Sequence, residues 1–406
     1  MRAAHVQPPM TNRWLVLALL IGVRTTFAFQ FGSVSAVSPF LIQELGIDYA
    51  SLGTLVSLYI LPGIVMSMPS GLAGSRFGER AVATAGLIFM IVGGVISAAA
   101  ETYVVAAAGR VVAGIGAVFL NVMLTKMVMD WFAGREMATA MALFLSSWPL
   151  GIAAAMVTLA PLAEAVSLGA VFGATAFLGL AGLVVVAALY RPAPGAIVPA
   201  RADRRRVRLL ARELWLVSLA SISFSFCSAT FVTLVAFVPL YLVGIGESAI
   251  AAAQIASIAP WTYALGVPLG GLLADRTGRS GAIVAAACIV TVAGIALMPV
   301  ATAWTAALLA VVGFASALPQ SIIKSVLTDV LRPEARAPGL GFHLTWHYSG
   351  LSVLPPAVGA LADWTGTPLA AVVGAAVLMA VAGAFYWWTR IGLAERVAVA
   401  PTTQPS

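Results

Sequence analysis

The chain alternates long apolar runs with short polar breaks. Scanned with a window of about 19 residues and divided at charges and Gly/Pro clusters, it yields twelve spans: 14–42, 50–74, 81–100, 103–129, 136–160, 167–190, 214–243, 249–274, 280–301, 304–330, 338–362 and 368–390. Runs this long and continuous exceed the roughly ten residues of a membrane barrel strand, so they predict helices. The first run passes Arg24 and continues to about Leu41, so it reads as an uncleaved first helix rather than a signal peptide. One long polar stretch, RPAPGAIVPARADRRRVRLLARE from Arg191 to Glu213, separates six helices within 1–190 from six within 214–406. The predicted fold is an all-α membrane protein of two six-helix bundles joined by a basic linker, 191–213.

Composition sharpens this picture. Of 406 residues, 61% are hydrophobic and 9% charged, against roughly 25% charged in a soluble domain. A water-soluble enzyme is excluded, and no phosphate loop, nucleophile elbow or zincin motif is present. Cys227 and Cys288 lie in apolar runs, which argues against a disulfide framework or thiolate metal site. The net charge of +7 is scattered among the breaks rather than gathered into a patch for nucleic acid. Arg2, Arg13, Arg76, Arg80, Arg135, the linker arginines, Arg276, Arg279, Arg332, Arg336, Arg390 and Arg396 all fall on one side of the predicted bilayer. The loops around Glu44, Asp48, Glu101, Glu164, Glu247 and Asp363 carry no Lys or Arg. Cationic residues are retained in the cytoplasm, so both termini and the linker are expected there, in a bacterial-type inner membrane.

The halves repeat at an offset of about 200 residues, the internal symmetry typical of transporters. GLAGSRFGER (Gly71 to Arg80) recurs as GLLADRTGRS (Gly271 to Ser280), Pro39 pairs with Pro239, and LGAVFGA from Leu168 pairs with LAAVVGA from Leu369. The segment Gly271, Leu273, Asp275, Arg276, Gly278, Arg279 resembles the G-x-L-x-D-R-x-G-R loop of the major facilitator superfamily, and Arg110 with Gly114 and Gly116 resembles that family's R-x-x-x-G pattern. The resemblance covers the whole chain. It implies a central cavity between two rocking bundles, with gating assigned to Gly71, Arg76, Gly78, Gly271, Asp275, Arg276, Gly278 and Arg279. The amino-terminal copy departs from the pattern at Ser75 and Glu79. Within the superfamily, SWPLGI (Ser147 to Ile152) and KMVMDWFAGRE (Lys126 to Glu136) look most like the branch of cyanate and nitroimidazole permeases.

Charges at membrane depth are costly and mark pathways. Arg24 lies about ten residues into the first span, and its counterpart near Phe224 is uncharged; this asymmetry points to a ligand. Arg110, mid-span in the fourth helix, is suited to gripping an oxyanion, bonding backbone carbonyls or coupling. Gln30, Tyr59, Trp261 and Gln320 complete the substrate-binding candidates by resemblance to cavity-lining helices, three of them near Pro62, Pro260 and Pro319. Lys126 and Lys324 precede Asp130 and Asp329 by four and five residues, which fits local ion pairs, the first cleanly, or an anion-attracting inner gate. All fifteen acidic residues fall near span ends or in loops, which disfavours cation transport. His343 and His347, one turn apart, are the proton-coupling candidates together with Arg110; their spacing also suits interhelical packing.

The expected function is secondary active transport of a small anion, an organic carboxylate or inorganic oxyanion, by proton symport or anion exchange. A monomer is expected, with the lipid bilayer, substrate and protons as partners and no cofactor, metal or nucleic acid. The alternatives are a proton-driven exporter of amphipathic compounds and, remotely, a transport-inactive receptor.

Overall fold

A computed structural model describes residues 12–133, 136–193, 209–332 and 335–399. The linker residues 194–208, Arg2 and Arg135 lie outside the described residues. The first half contains α1 (Arg13–Ala36), α2 (Ser38–Leu45), α3 (Tyr49–Leu58), α4 (Gly63–Phe77), α5 (Glu79–Ala98), α6 (Tyr103–Trp131), α7 (Met137–Ala165) and α8 (Leu168–Leu189). The second contains α9 (Ala211–Gly244), α10 (Ala249–Ala256), α11 (Ile258–Thr277), α12 (Ser280–Leu297), α13 (Thr305–Val330), α14 (Arg336–Thr365) and α15 (Pro368–Val399).

Proline accounts for the breaks within predicted spans, because it removes a backbone donor and crowds the carbonyl four residues earlier. The second span of each half is interrupted near its middle, at Tyr59–Pro62 between α3 and α4 and at Ser257, three residues before Pro260, between α10 and α11. Joined across such breaks, eleven described helical segments are long and apolar enough to cross a membrane. The twelfth expected span is the continuous 30-residue α14, whose stretch FHLTWHYSG makes it less apolar than the rest.

The ends of the bundle differ in how the halves meet. At the acidic end, α3 packs on α14, and α7 on α10 and α11. The approach there is backbone on backbone: a Cβ on Gly53 would stand 2.6 Å from the Pro355 carbonyl oxygen, and one on Gly359 would overlap that of Tyr49. The Ser57 hydroxyl donates across the seam to the Leu351 carbonyl at 2.9 Å. At the basic end the described ion pairs, Arg13–Glu136, Lys126–Glu79, Lys126–Asp130 and Arg332–Glu213, each stay within one half. Lys324 is solvent-exposed although it lies within α13. The halves are therefore sealed at the acidic end and part toward the basic one.

Candidate functional site

The seal is continued inward by aromatic rings. Tyr59, Phe31, Trp148, Phe231 and Tyr263 form a chain with successive centroid separations of 5.9, 5.5, 5.7 and 4.0 Å. The chain runs from the break after α3 in one half to α11 of the other, and Trp148 touching Phe231 bridges the two. Large planar side chains close such a roof at little conformational cost.

Arg24 is only 7% exposed, and neighbouring helices fix its guanidinium. Nη1 donates to the carbonyls of Phe144 (2.8 Å) and Leu145 (3.1 Å) and to Ser147 Oγ (3.2 Å), while Nε donates to Asn121 Oδ1 at 3.3 Å. The Phe144 ring lies 4.6 Å from the guanidinium carbon. Nη2 has no hydrogen-bond partner among the described residues. Across the seam, the Tyr348 hydroxyl is close to Ser67 and Asn121 and within electrostatic range of Arg24. The Tyr348 ring lies against Gly63, where a Cβ would stand 2.7 Å away.

Lys324 approaches from the second half. It is within electrostatic range of Arg24, His343 and His347, and it makes no ion pair with a described residue. The separation of five residues from Asp329 puts the two on different helix faces, whereas Lys126 pairs with Asp130 four residues on and also with Glu79. His343 Nδ1 shares a 2.9 Å hydrogen bond with Ser221 Oγ. The two imidazoles are parallel, 6.4 Å apart, and both meet the Phe224 ring edgewise. His343 Nε2 and His347 Nδ1 are buried without partners. Arg24, Asn121, Ser67, Tyr348, Lys324 and the His pair are thus linked by pairwise interactions across the seam, with no carboxylate among them.

The other candidates lie elsewhere. Arg110 is 2% exposed and donates to the carbonyls of Leu55 (3.1 Å), Gln30 (2.8 Å) and Phe31 (3.3 Å), with its guanidinium 4.4 Å from the Tyr59 ring. These bonds clamp α6 to α1 and α3. Gln30 is likewise engaged inside the first half, donating to the Met90 carbonyl at 3.0 Å and accepting from Tyr59. Gln320 pairs with Ser228 at 3.1 Å, and Trp261 is 45% exposed. Gly71, Arg76 and Gly78 are exposed at the basic end. Gly271, at the same end, is partly buried, while Asp275, Arg276, Gly278 and Arg279 are exposed. Gly78 and Gly278 take positive φ of 88° and 64°, which a side chain would resist. Asp275, Arg276 and Arg279 make no ion pair with described residues while the basic end is open. Asn121 and Tyr348 are members that sequence spacing does not single out; each needs a partner from a helix remote in sequence.

Comparison with known proteins agrees with this architecture. The Major Facilitator Superfamily profile matches residues 19–355 and 255–405. The chain belongs to this superfamily. It is a secondary transporter rather than an enzyme. It is 24% identical over 385 residues to the lysosomal dipeptide transporter MFSD1 of Danio rerio, covering 88% of this chain and 82% of the relative. It is 23% identical over 361 residues to the hexuronate transporter of Bacillus subtilis, covering 82% and 84%. In fold it is similar to a point mutant of the nucleoside transporter NupG, with TM-score 0.74, 14% identity and coverage of 95% and 99%. It is also similar to an inward-facing, occupied bacterial homologue of the human lysosomal transporter Spinster, with TM-score 0.69, 17% identity and coverage of 93% and 97%.

Proposed function

We propose that this transporter moves a small anionic solute, an organic carboxylate or inorganic oxyanion, by alternating access, with the basic end in the cytoplasm of a bacterial-type inner membrane. One observation carries the reading: Arg24 and Lys324, from opposite halves, lie within electrostatic range of each other, and neither is ion-paired to a carboxylate among the described residues. Like charges facing each other repel, and an anion between them removes that repulsion while drawing the halves together. Arg24 Nη2 and Tyr348 supply directional donors, and Lys324 supplies a point charge. A hexuronate and a dipeptide each carry a carboxylate, so the cargoes named for the two relatives are compatible with this chemistry. Proton symport, with His343 and His347 as the proton carriers, is the coupling of this reading; anion exchange is the alternative.

The test is ligand-induced stabilisation of the purified protein, since a ligand of the native state raises the unfolding temperature by mass action. Carboxylates, inorganic oxyanions and lipophilic cations are screened against wild type and Lys324→Gln, a variant that removes no described bond and keeps the fold. Stabilisation by one anion group, weakened in Lys324→Gln, is the expected result. Stabilisation by lipophilic cations alone would replace this reading with the exporter of amphipathic compounds.

A further inference from the structure

A second cavity lies outside the central space. It is a groove of about 1010 Å³ at the basic end of the first half, lined by Arg76, Arg80, Glu79 and Lys126 at one end and by Ala85 and Ile88 at the other. Lys126 is shared between Glu79 and Asp130, so the groove's cationic groups with no ion pair among the described residues are the two arginines. Arg76 is exposed, carries no ion pair with a described residue and lies against its neighbour Phe77 at 5.2 Å. Arg80 donates one Nη2 bond to the Ala187 carbonyl and keeps its other donors.

From the arginines the groove follows one face of α5, through Ala81, Thr84 and Ala85 to Ile88. Ile88 is exposed on a helix apolar enough to cross a membrane, so this end opens onto the bilayer. At 1.5 Å per residue, Glu79 to Ile88 spans about 13 Å, close to the hydrocarbon depth of a single leaflet, about 15 Å. A cationic head over an apolar channel one leaflet deep has the charge and dimensions of a phospholipid standing in its own leaflet.

We infer that this groove is a binding site for an anionic phospholipid of the leaflet at the basic end, with its phosphate held by Arg76 and Arg80 and an acyl chain along Ala85 and Ile88. The full-length protein, delipidated in detergent, is offered equimolar phosphatidylglycerol and phosphatidylcholine, and the retained lipid is counted by native mass spectrometry. Wild type retains phosphatidylglycerol preferentially. Arg76→Gln lowers that preference roughly five-fold, the size of one basic residue's attraction to an anionic surface, and Arg76→Lys restores it. Ile88→Trp, which fills the apolar end, lowers retention of both lipids. The inference fails if the preference survives Arg76→Gln, if Ile88→Trp leaves retention unchanged, or if millimolar inorganic phosphate displaces the lipid and so marks a site for phosphate alone. Unfolding temperatures of the three variants within a degree of wild type show that any loss is not a loss of fold.

Discussion

The carboxylate of Asp363, near the end of α14, accepts a hydrogen bond from the backbone N–H of Tyr49, the first residue of α3, at 2.8 Å, and its second oxygen accepts from Ala50 at 2.8 Å. The first turn of a helix in one half is thus capped by a side chain of the other. Opening the acidic end strands these donors, so the cap favours the state seen here. A charge-assisted bond contributes about 1.5–3 kcal/mol. Asp363→Ala is expected to shift the equilibrium at least roughly ten-fold toward the state open at the acidic end, read as faster alkylation of a cysteine placed at Ser57.

The glycines at the same seam separate gating from folding. Gly53→Ala meets the Pro355 carbonyl across the interface, and the clash is relieved when the halves part. This variant is expected to fold normally and to populate the opposite state. Gly116→Ala meets the Gly86 carbonyl inside the first half, where no transport step separates α5 from α6. It is expected to lower the unfolding temperature in either state.

Trp148 joins the aromatic chains of the two halves. Trp148→Ala leaves a gap in the roof above Arg24, and the expected outcome is a passive leak of small solutes through reconstituted vesicles, measured by efflux with no gradient-coupled uptake. Retained tightness would show that Phe31 and Phe231 close the roof without it.

Asp48 caps α3 from its own side, accepting from the Ser51 N–H at 2.8 Å. The Ser51 side chain and N–H hold its carboxyl below the usual Asp value. A lowered folded-state value means that the stabilisation is present above the unfolded value, about 3.9, and is lost as pH falls through the folded one. Asp48→Ala should therefore cost about 1 kcal/mol at neutral pH, with the difference from wild type shrinking in thermal unfolding as pH falls below the ordinary Asp value.

Glu213 receives the Arg332 guanidinium at 2.8 Å and caps the Leu210 N–H at 2.9 Å. In the other half, Arg13 meets Glu136 at 2.6 Å. Both pairs tie the start of a half's first helix to the connection entering its fifth, with the charges exchanged. Glu213→Arg alone should destabilise. Adding Arg332→Glu should recover part of the unfolding temperature, because the ion pair returns and the cap does not.

That exchange shows where reading the sequence reaches and where it stops. The membrane spans were legible because each apolar run is a local property of the chain, and the superfamily was legible from the loop after Gly271. Arg13 and Glu213 do not align by residue type, so their shared role becomes visible only once partners 123 and 119 residues away are in place. The site divides the same way. Arg24 stood out by depth and Lys126 by its spacing to Asp130. Depth alone, however, did not separate Arg110, whose donors are engaged by backbone carbonyls, from Arg24, which keeps Nη2 in reserve. The turn that carries Lys324 toward Arg24 is a matter of helix rotation, set by packing between α13 and its neighbours.

The paired cations at the centre also have an electrical meaning. A carrier that swings Arg24 and Lys324 across the bilayer while empty moves positive charge, and each elementary charge crossing 100 mV is worth about 2.3 kcal/mol. With the basic end inside a negative cell, the voltage holds the vacant carrier facing inward. A singly charged cargo cancels half of that load and a doubly charged one all of it. The current per molecule carried, with the protons or counter-anions moved in the same cycle counted separately, therefore reports the valence of the cargo before its chemical name is known.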